Sequence, residues 1–142
     1  MTKAVSAGII IAHGHGPDRR YLVLKAKLGK AYSDFPKGAV EDGESLEQAA
    51  RREVKEETGI VIDQIFEGFQ EKITYRYIWD GDPINKEVYF FLAQVPSMDV
   101  TISHEHVGFR WYSYQDMLRV LTFPNQKRVI KAAEAFLNTE EA

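Results

Sequence analysis

One run of residues, Gly38 to Ile60 (GAVEDGESLEQAARREVKEETGI), constrains this chain more than any other. Ser45 and Gln48 have the spacing of a capping box, so a helix is expected from about Leu46. Gly38, Asp42 and Gly43 ahead of it are loop formers, and Gly59 supplies the left-handed residue that ends it. At about 100° per residue, Leu46, Ala50 and Val54 form one stripe for a core, while Glu47, Gln48, Arg51, Lys55 and Thr58 take the opposite, solvated side. Glu53, Glu56 and Glu57 lie within about 100° of one another on the flank of the apolar stripe. Acids so placed repel one another, and the negative end of the helix dipole disfavours them further. A hard divalent cation, Mg²⁺ or Mn²⁺, removes the conflict by taking carboxylate oxygens while leaving room for water and phosphate. The residues alone therefore point to metal-dependent chemistry on a phosphorylated compound. The competing reading is three solvated glutamates on a charged helix.

The rest of the chain sets bounds. Its 142 residues suit a single domain over 1–142 with a sizeable core, and 44% hydrophobic with 12% aromatic content excludes disorder. A net charge of −3 argues against a dedicated DNA-binding module. With no cysteine, disulfides, thiolate zinc sites and a cysteine nucleophile are excluded, which fits a cytoplasmic setting. No segment has the length of a membrane span; Ala4 to Ala12 reads as a first strand, because Gly14, Gly16 and Pro17 turn directly into the next apolar run. Strands are expected near 4–12, 20–26, 66–79, 87–95 and 108–112, with a turn at Asp80-Gly81-Asp82-Pro83. His13 and His15 read as turn residues. Ser113 with Asp116 resembles the cap of a short helix to Leu121, and Asn125 can cap a last helix whose apolar face is Val129, Ala133, Phe136 and Leu137. The expected class is α+β, a mixed sheet between helices.

The run from Gly38 to Ile60 resembles the Nudix box, G-x5-E-x7-R-E-U-x-E-E-x-G-U with U aliphatic, and matches every fixed position. Seven such identities coincide by chance about once in 10⁸ starting points, so the spacing is informative. The resemblance implies an α/β/α sandwich and a pyrophosphohydrolase using Mg²⁺ or Mn²⁺. By position it implies Glu53, Glu56 and Glu57 as metal ligands, with one of them or a nearby acid assisting the attacking water. Arg52 would orient the glutamates, Glu44 would brace the loop, and Gly38 would offer backbone close to the metal.

Flanking residues resemble the asymmetrical diadenosine tetraphosphate hydrolases: Phe35-Pro36-Lys37-Gly38, Glu67-Gly68-Phe69 followed by Tyr75, Lys86, and Ser103-His104-Glu105-His106 before Phe109-Arg110-Trp111. That implies cleavage to ATP and AMP. Relatives usually carry tryptophan where Ser33 stands, with Tyr32 a possible substitute. Lys37 and Lys86 are candidate phosphate ligands, and Glu105 a candidate extra metal ligand or general base. His104 is a candidate hydrogen-bond partner of phosphate or carboxylate. Tyr75 and Phe123 are candidate walls of an adenine slot, although the alternation Ile73, Tyr75, Tyr77, Trp79 is a usual pattern of sheet packing. Lys127, Arg128 and Lys131 read as a solvated helix face. The partner expected is a small nucleotide, with no oligomeric state implied. Rival readings are an RNA 5′-pyrophosphohydrolase acting on RNA 5′ ends, a nucleotide-sugar or mutagenic-triphosphate pyrophosphatase, and a silent nucleotide-sensing module. The last typically loses box glutamates, and none is lost here.

Overall fold

Three consecutive isoleucines, Ile9, Ile10 and Ile11, are fully buried, so their strand is covered on both faces. That strand, β1 (Thr2–His13), is the spine of a computed structural model that describes residues 2–26 and 33–142. β1 runs parallel to β6 (Asp82–Gln94) from Thr2↔Ile84 to Ala12↔Gln94, and β5 (Glu71–Trp79) lies antiparallel at the far edge of β6. On its other side β1 pairs with β4 (Lys37–Ala39) at Ser6–Gly8 and with β2 (Arg20–Ala26) at Ala12–His13. Between those two patches the Ile9 N–H donates to the Pro36 carbonyl at 3.2 Å. β2 also carries β3 (Ser33–Asp34) and β7 (His106–Tyr112). The switch from β4 to β2 splits one side of the sheet, and the site lies at that split.

Helices cover both faces. Helix α1 (Leu46–Thr58) packs Ala49, Ala50 and Val54 on Ile9, Ile11, Leu22 and Leu24. Helices α2 (Tyr114–Val120) and α3 (Pro124–Glu141) pack Met117, Val129, Ile130, Ala133 and Leu137 on Ile10, Tyr21, Phe90 and Leu92. The layers are helix, mixed sheet, helices, as the box implied. Ser45 and Gln48 do form the capping box, and Gly59 (φ 74°) ends α1.

Several boundaries differ from the sequence pattern. Strand β5 begins at Glu71, because Gly68 (φ 86°) turns the chain and Phe66 and Phe69 go edge-on to Phe136 instead. The hairpin turn is two residues, Asp80 (φ 49°) and Gly81 (φ 80°), so Asp82 and Pro83 already belong to β6. Gly38 lies in β4 rather than in a loop, and His13 ends β1, its Nδ1 2.9 Å from the Val95 carbonyl. His15 lies beyond β1, its Nδ1 3.3 Å from Glu141 Oε2. Thr58 is not solvated: it is buried, donating to the Val54 carbonyl at 2.7 Å and accepting from the Ile60 N–H. Asn125 does not cap α3; Phe123 stands at the N-cap and its N–H donates to Gln126 Oε1, with Pro124 opening the helix. Ser33 is buried beneath the Gln126 side chain, which donates to its carbonyl at 3.2 Å, and Tyr32 lies outside the described residues. Arg128 is tied to Glu71 (2.7 Å) and the Lys72 carbonyl, so it clamps α3 to β5.

Candidate active site

Arg52 organises the C-terminal half of α1. Its Nε and Nη2 clasp both oxygens of Glu44 at 2.7 and 2.9 Å, and Nη2 also donates to the Ala39 carbonyl at 2.9 Å. Nη1 donates to Glu53 at 2.8 Å and to Glu56 at 3.3 Å. A planar guanidinium has the fork geometry for such a fan; an ammonium does not. These hydrogen bonds, that to Glu44 foremost, raise the Arg52 pKa, and in return hold the Glu44 carboxyl down at about 2. Glu44 also accepts from the Glu41 N–H, so the loop before α1 is braced from both ends.

Glu57 points the other way, inward. It is 8% exposed and accepts from the Lys37 N–H at 3.2 Å. Burial pushes its pKa up to about 8; the Lys37 N–H and Lys37 charge oppose that, and the charges of Glu53 and Glu105 add to it. Glu53 is raised too, chiefly by burial, with Arg52 opposing and Glu56 and Glu105 adding. Acids from α1 and from the loop before β7 thus face one another. Gly38 packs directly against Glu53: a Cβ there would stand 2.0 Å from the Glu53 carboxyl carbon.

A cavity of about 160 Å³ opens at the sheet split, lined by Leu24, Asp34, Phe35, Lys37, Glu57, Glu105 and His106. Lys37 pairs with Asp34 at 3.3 Å; burial works against its charge, but Asp34 and Glu57 more than offset that and raise its pKa. Lys86 donates to Ser6 Oγ at 2.6 Å, and no acid pairs with it among the described residues. Burial and the charge of Lys37 lower its pKa, so two lysines face each other without a matching acid for the second. That is an environment for an anion.

Of the expected residues, the site brings Lys37, Gly38, Glu53, Glu57 and Glu105 together. Glu56 sits at the rim, half-exposed on Arg52. Lys86, Tyr75 (41% exposed) and Phe123 (46%) lie outside the cavity lining, and so does His104, which is exposed in the turn before β7. The histidine in the cavity is His106, its Nδ1 3.3 Å from Ser103 Oγ, with a pKa lowered first by burial. Asp34 and His106 were missed. In sequence Asp34 is one residue of a two-residue strand, and only the β7 register decides which histidine of His104-Glu105-His106 turns inward.

Among the described residues no three His, Asp or Glu side chains already form a closed ligand cage. The donor set nevertheless fits a hard divalent ion: carboxylate oxygens of Glu53, Glu57 and Glu105 outnumber the one imidazole of the cavity lining, His106, and the Glu57 carboxylate is buried near the other two. Gly38 leaves no room for a side chain between backbone and carboxylate.

The NUDIX domain model matches residues 2–133. The chain belongs to the Nudix family. The asymmetrical bis(5′-nucleosyl)-tetraphosphatase of Sus scrofa is 36% identical over 121 residues, covering 82% of this chain and 80% of that protein. A binary complex of the Caenorhabditis elegans Ap4A hydrolase superposes with a TM-score of 0.81 at 28% identity, covering 96% of this chain and 98% of that one. The RNA pyrophosphohydrolase of Vibrio cholerae is 31% identical over 125 residues, covering 78% of this chain and 70% of that protein. As a Nudix pyrophosphohydrolase, this enzyme hydrolyses acid anhydrides, and Nudix hydrolases use divalent metal ions. No described helix is long and apolar enough to cross a membrane.

Proposed function

We propose that this Nudix enzyme cleaves dinucleoside polyphosphates asymmetrically, taking diadenosine tetraphosphate to ATP and AMP, with Mg²⁺ or Mn²⁺ as its metal. The observation that carries the reading is the meeting of Glu53, Glu57 and Glu105 beside Lys37 at the sheet split, in a chain similar to two such hydrolases. Glu53, Glu56 and Glu57 would hold the metal, with Glu105 and the Gly38 backbone beside them; when bound, it offsets phosphate charge and lowers the pKa of water.

The chain's own groups do the rest. Arg52 positions Glu53 and Glu56 and keeps both from turning away. Lys37 and Lys86 match the negative charge of the polyphosphate, most of which two lysines and a few ions must balance. Glu105 lines the cavity and is held neither by Arg52, as Glu53 and Glu56 are, nor by the Lys37 N–H, as Glu57 is, so it is the acid assigned to take a proton from the attacking water. Tyr75 and Phe123 offer ring faces to one adenine. The physiological setting proposed is cytoplasmic. A panel of diadenosine tri-, tetra- and pentaphosphate, triphosphorylated RNA and ADP-ribose, with product identification, tests the reading. ATP plus AMP from the tetraphosphate is expected. Two ADP molecules as sole products would contradict it, and triphosphorylated RNA turned over about a hundredfold more efficiently would favour the RNA reading.

A further inference from the structure

A dinucleotide has two bases, and Tyr75 with Phe123 accounts for one. The face of β5 that carries Tyr75 does not stop there. Ile73 is buried beneath α3, but Tyr77 and Trp79, the next residues on that face, are 38% and 70% exposed. Sheet packing explains Ile73 and part of Tyr77, which stands across the ladder from the buried Ile84, but not the exposed Trp79. The Tyr75 and Tyr77 rings lie 6.1 Å apart, tilted by 37°, and Trp79 stands two residues further out, so the three rings file along one strand over about 14 Å. Ile78, on the opposite face, is 68% exposed, so the end of the hairpin projects beyond both layers and Trp79 belongs to neither core.

The ladder beside this file sorts charge. Tyr75 is paired across the strands with Lys86, Tyr77 with the apolar Ile84, and Trp79 with Asp82. The inner end therefore suits phosphate, and the outer end, with an acid beside the indole, repels phosphate while offering a ring face and a hydrogen-bond acceptor. A nucleobase with an exocyclic amine has that chemistry. The turn Asp80-Gly81, with both residues left-handed, matches the twist of the strands and fixes the register that puts Tyr75, Tyr77 and Trp79 on one face.

We propose that Tyr77 and Trp79 form a subsite for the second nucleobase of the substrate, so that the β5–β6 hairpin selects two-base over one-base polyphosphates. This rests on the dinucleotide reading above. The test compares kcat/KM of the wild type, Y77A, W79A and W79F on diadenosine tetraphosphate and on adenosine 5′-tetraphosphate, which has one base. Loss of a stack should lower kcat/KM for the two-base substrate about 5- to 150-fold in W79A, and within that range in Y77A, mainly through KM. The one-base substrate should be unaffected, and W79F should keep most of the wild-type preference. Equal losses on both substrates, or no loss on either, would overturn the subsite. Sedimentation velocity on the same variants is the control: a changed oligomeric state with unchanged substrate preference would make this face a contact between copies instead. A wild type that releases no ATP and AMP from the tetraphosphate would remove the dinucleotide reading itself, an outcome visible before any variant is made.

Discussion

Gly38→Ala separates the site from the fold. The added methyl would sit 2.0 Å from the Glu53 carboxyl carbon and 2.1 and 2.5 Å from its oxygens. Ordinary carbon–carbon contact is about 3.5–4.0 Å, so the carboxylate must retreat by roughly 1.5 Å. It can, because it ends a flexible side chain. The fold loses at most the 2.8 Å hydrogen bond from Arg52, about 1–2 kcal/mol at a partly exposed site, which lowers Tm by a few degrees. Catalysis is less forgiving: a ligand displaced by more than 1 Å costs about 10²-fold in turnover, and half-activation should need more metal. Gly8→Ala is the contrast, since its methyl would meet the Pro36 carbonyl at 2.3 Å and the Lys37 Cβ at 2.6 Å, and backbone cannot swing aside. It should destabilise by about 1–3 kcal/mol or more through overpacking. Thermal melts and Mg²⁺-activation curves on both variants check the pair. Full turnover with ordinary metal dependence in Gly38→Ala would refute the argument that Glu53 must stand where it does.

In metal-free protein, the native state keeps a proton on Glu57 that the unfolded chain releases above about pH 4.5, because burial lifts its pKa to about 8. Stability from this group is therefore complete below pH 4.5 and falls as pH rises through 8, by at most ~1.4 kcal/mol per unit; Glu57→Gln should flatten that slope in urea unfolding with chelator present. Arg52→Lys keeps the charge but not the fork, so turnover should fall about 10-fold or more, and Tm should drop by at least the few degrees expected of Gly38→Ala as the bonds to Glu44, Ala39 and Glu53 are lost, read by kinetics and melting. Glu105→Gln should lower kcat by about 10²–10⁴ if it takes the proton, and an unchanged pH–rate profile with unchanged metal dependence would return it to an ordinary loop acid. Tyr75→Ala should raise KM for the dinucleotide about 5- to 150-fold while Tyr75→Phe stays close to wild type, since the ring face survives.

What could be read in the chain was local. Helix α1 is written in short-range chemistry: Ser45 and Gln48 start it, Gly59 stops it, and the glutamates fall where 3.6 residues per turn puts them. Non-local features were not legible. The apolar pattern of 66–70 looks like strand, but Phe66 and Phe69 find Phe136 across the molecule and Gly68 turns the chain. Angular position alone puts Thr58 in solvent, yet the segment between β6 and β7 crosses the end of α1, with the Thr101 N–H donating to the Thr58 carbonyl. His106 replaces His104 in the cavity because strand register, invisible in a single sequence, chooses between them.

The parallel ladder between β1 and β6 has a consequence for how the chain is made. Every rung joins residues about eighty positions apart, so Ile9, Ile10 and Ile11 leave a ribosome long before their partners exist. At 5–20 residues per second, roughly 4–16 s pass in which an apolar, β-forming segment waits for β6, its longest partner. In the meantime β2 reaches only Ala12 and His13, and β4 with the Pro36 carbonyl reaches only Ser6 to Ile9, so the edge facing β6 stays open. Synthesis rate and chaperone supply, rather than equilibrium stability, should therefore set the yield of this enzyme, and slower translation across 14–81 should increase aggregation more than the same slowing after Gln94.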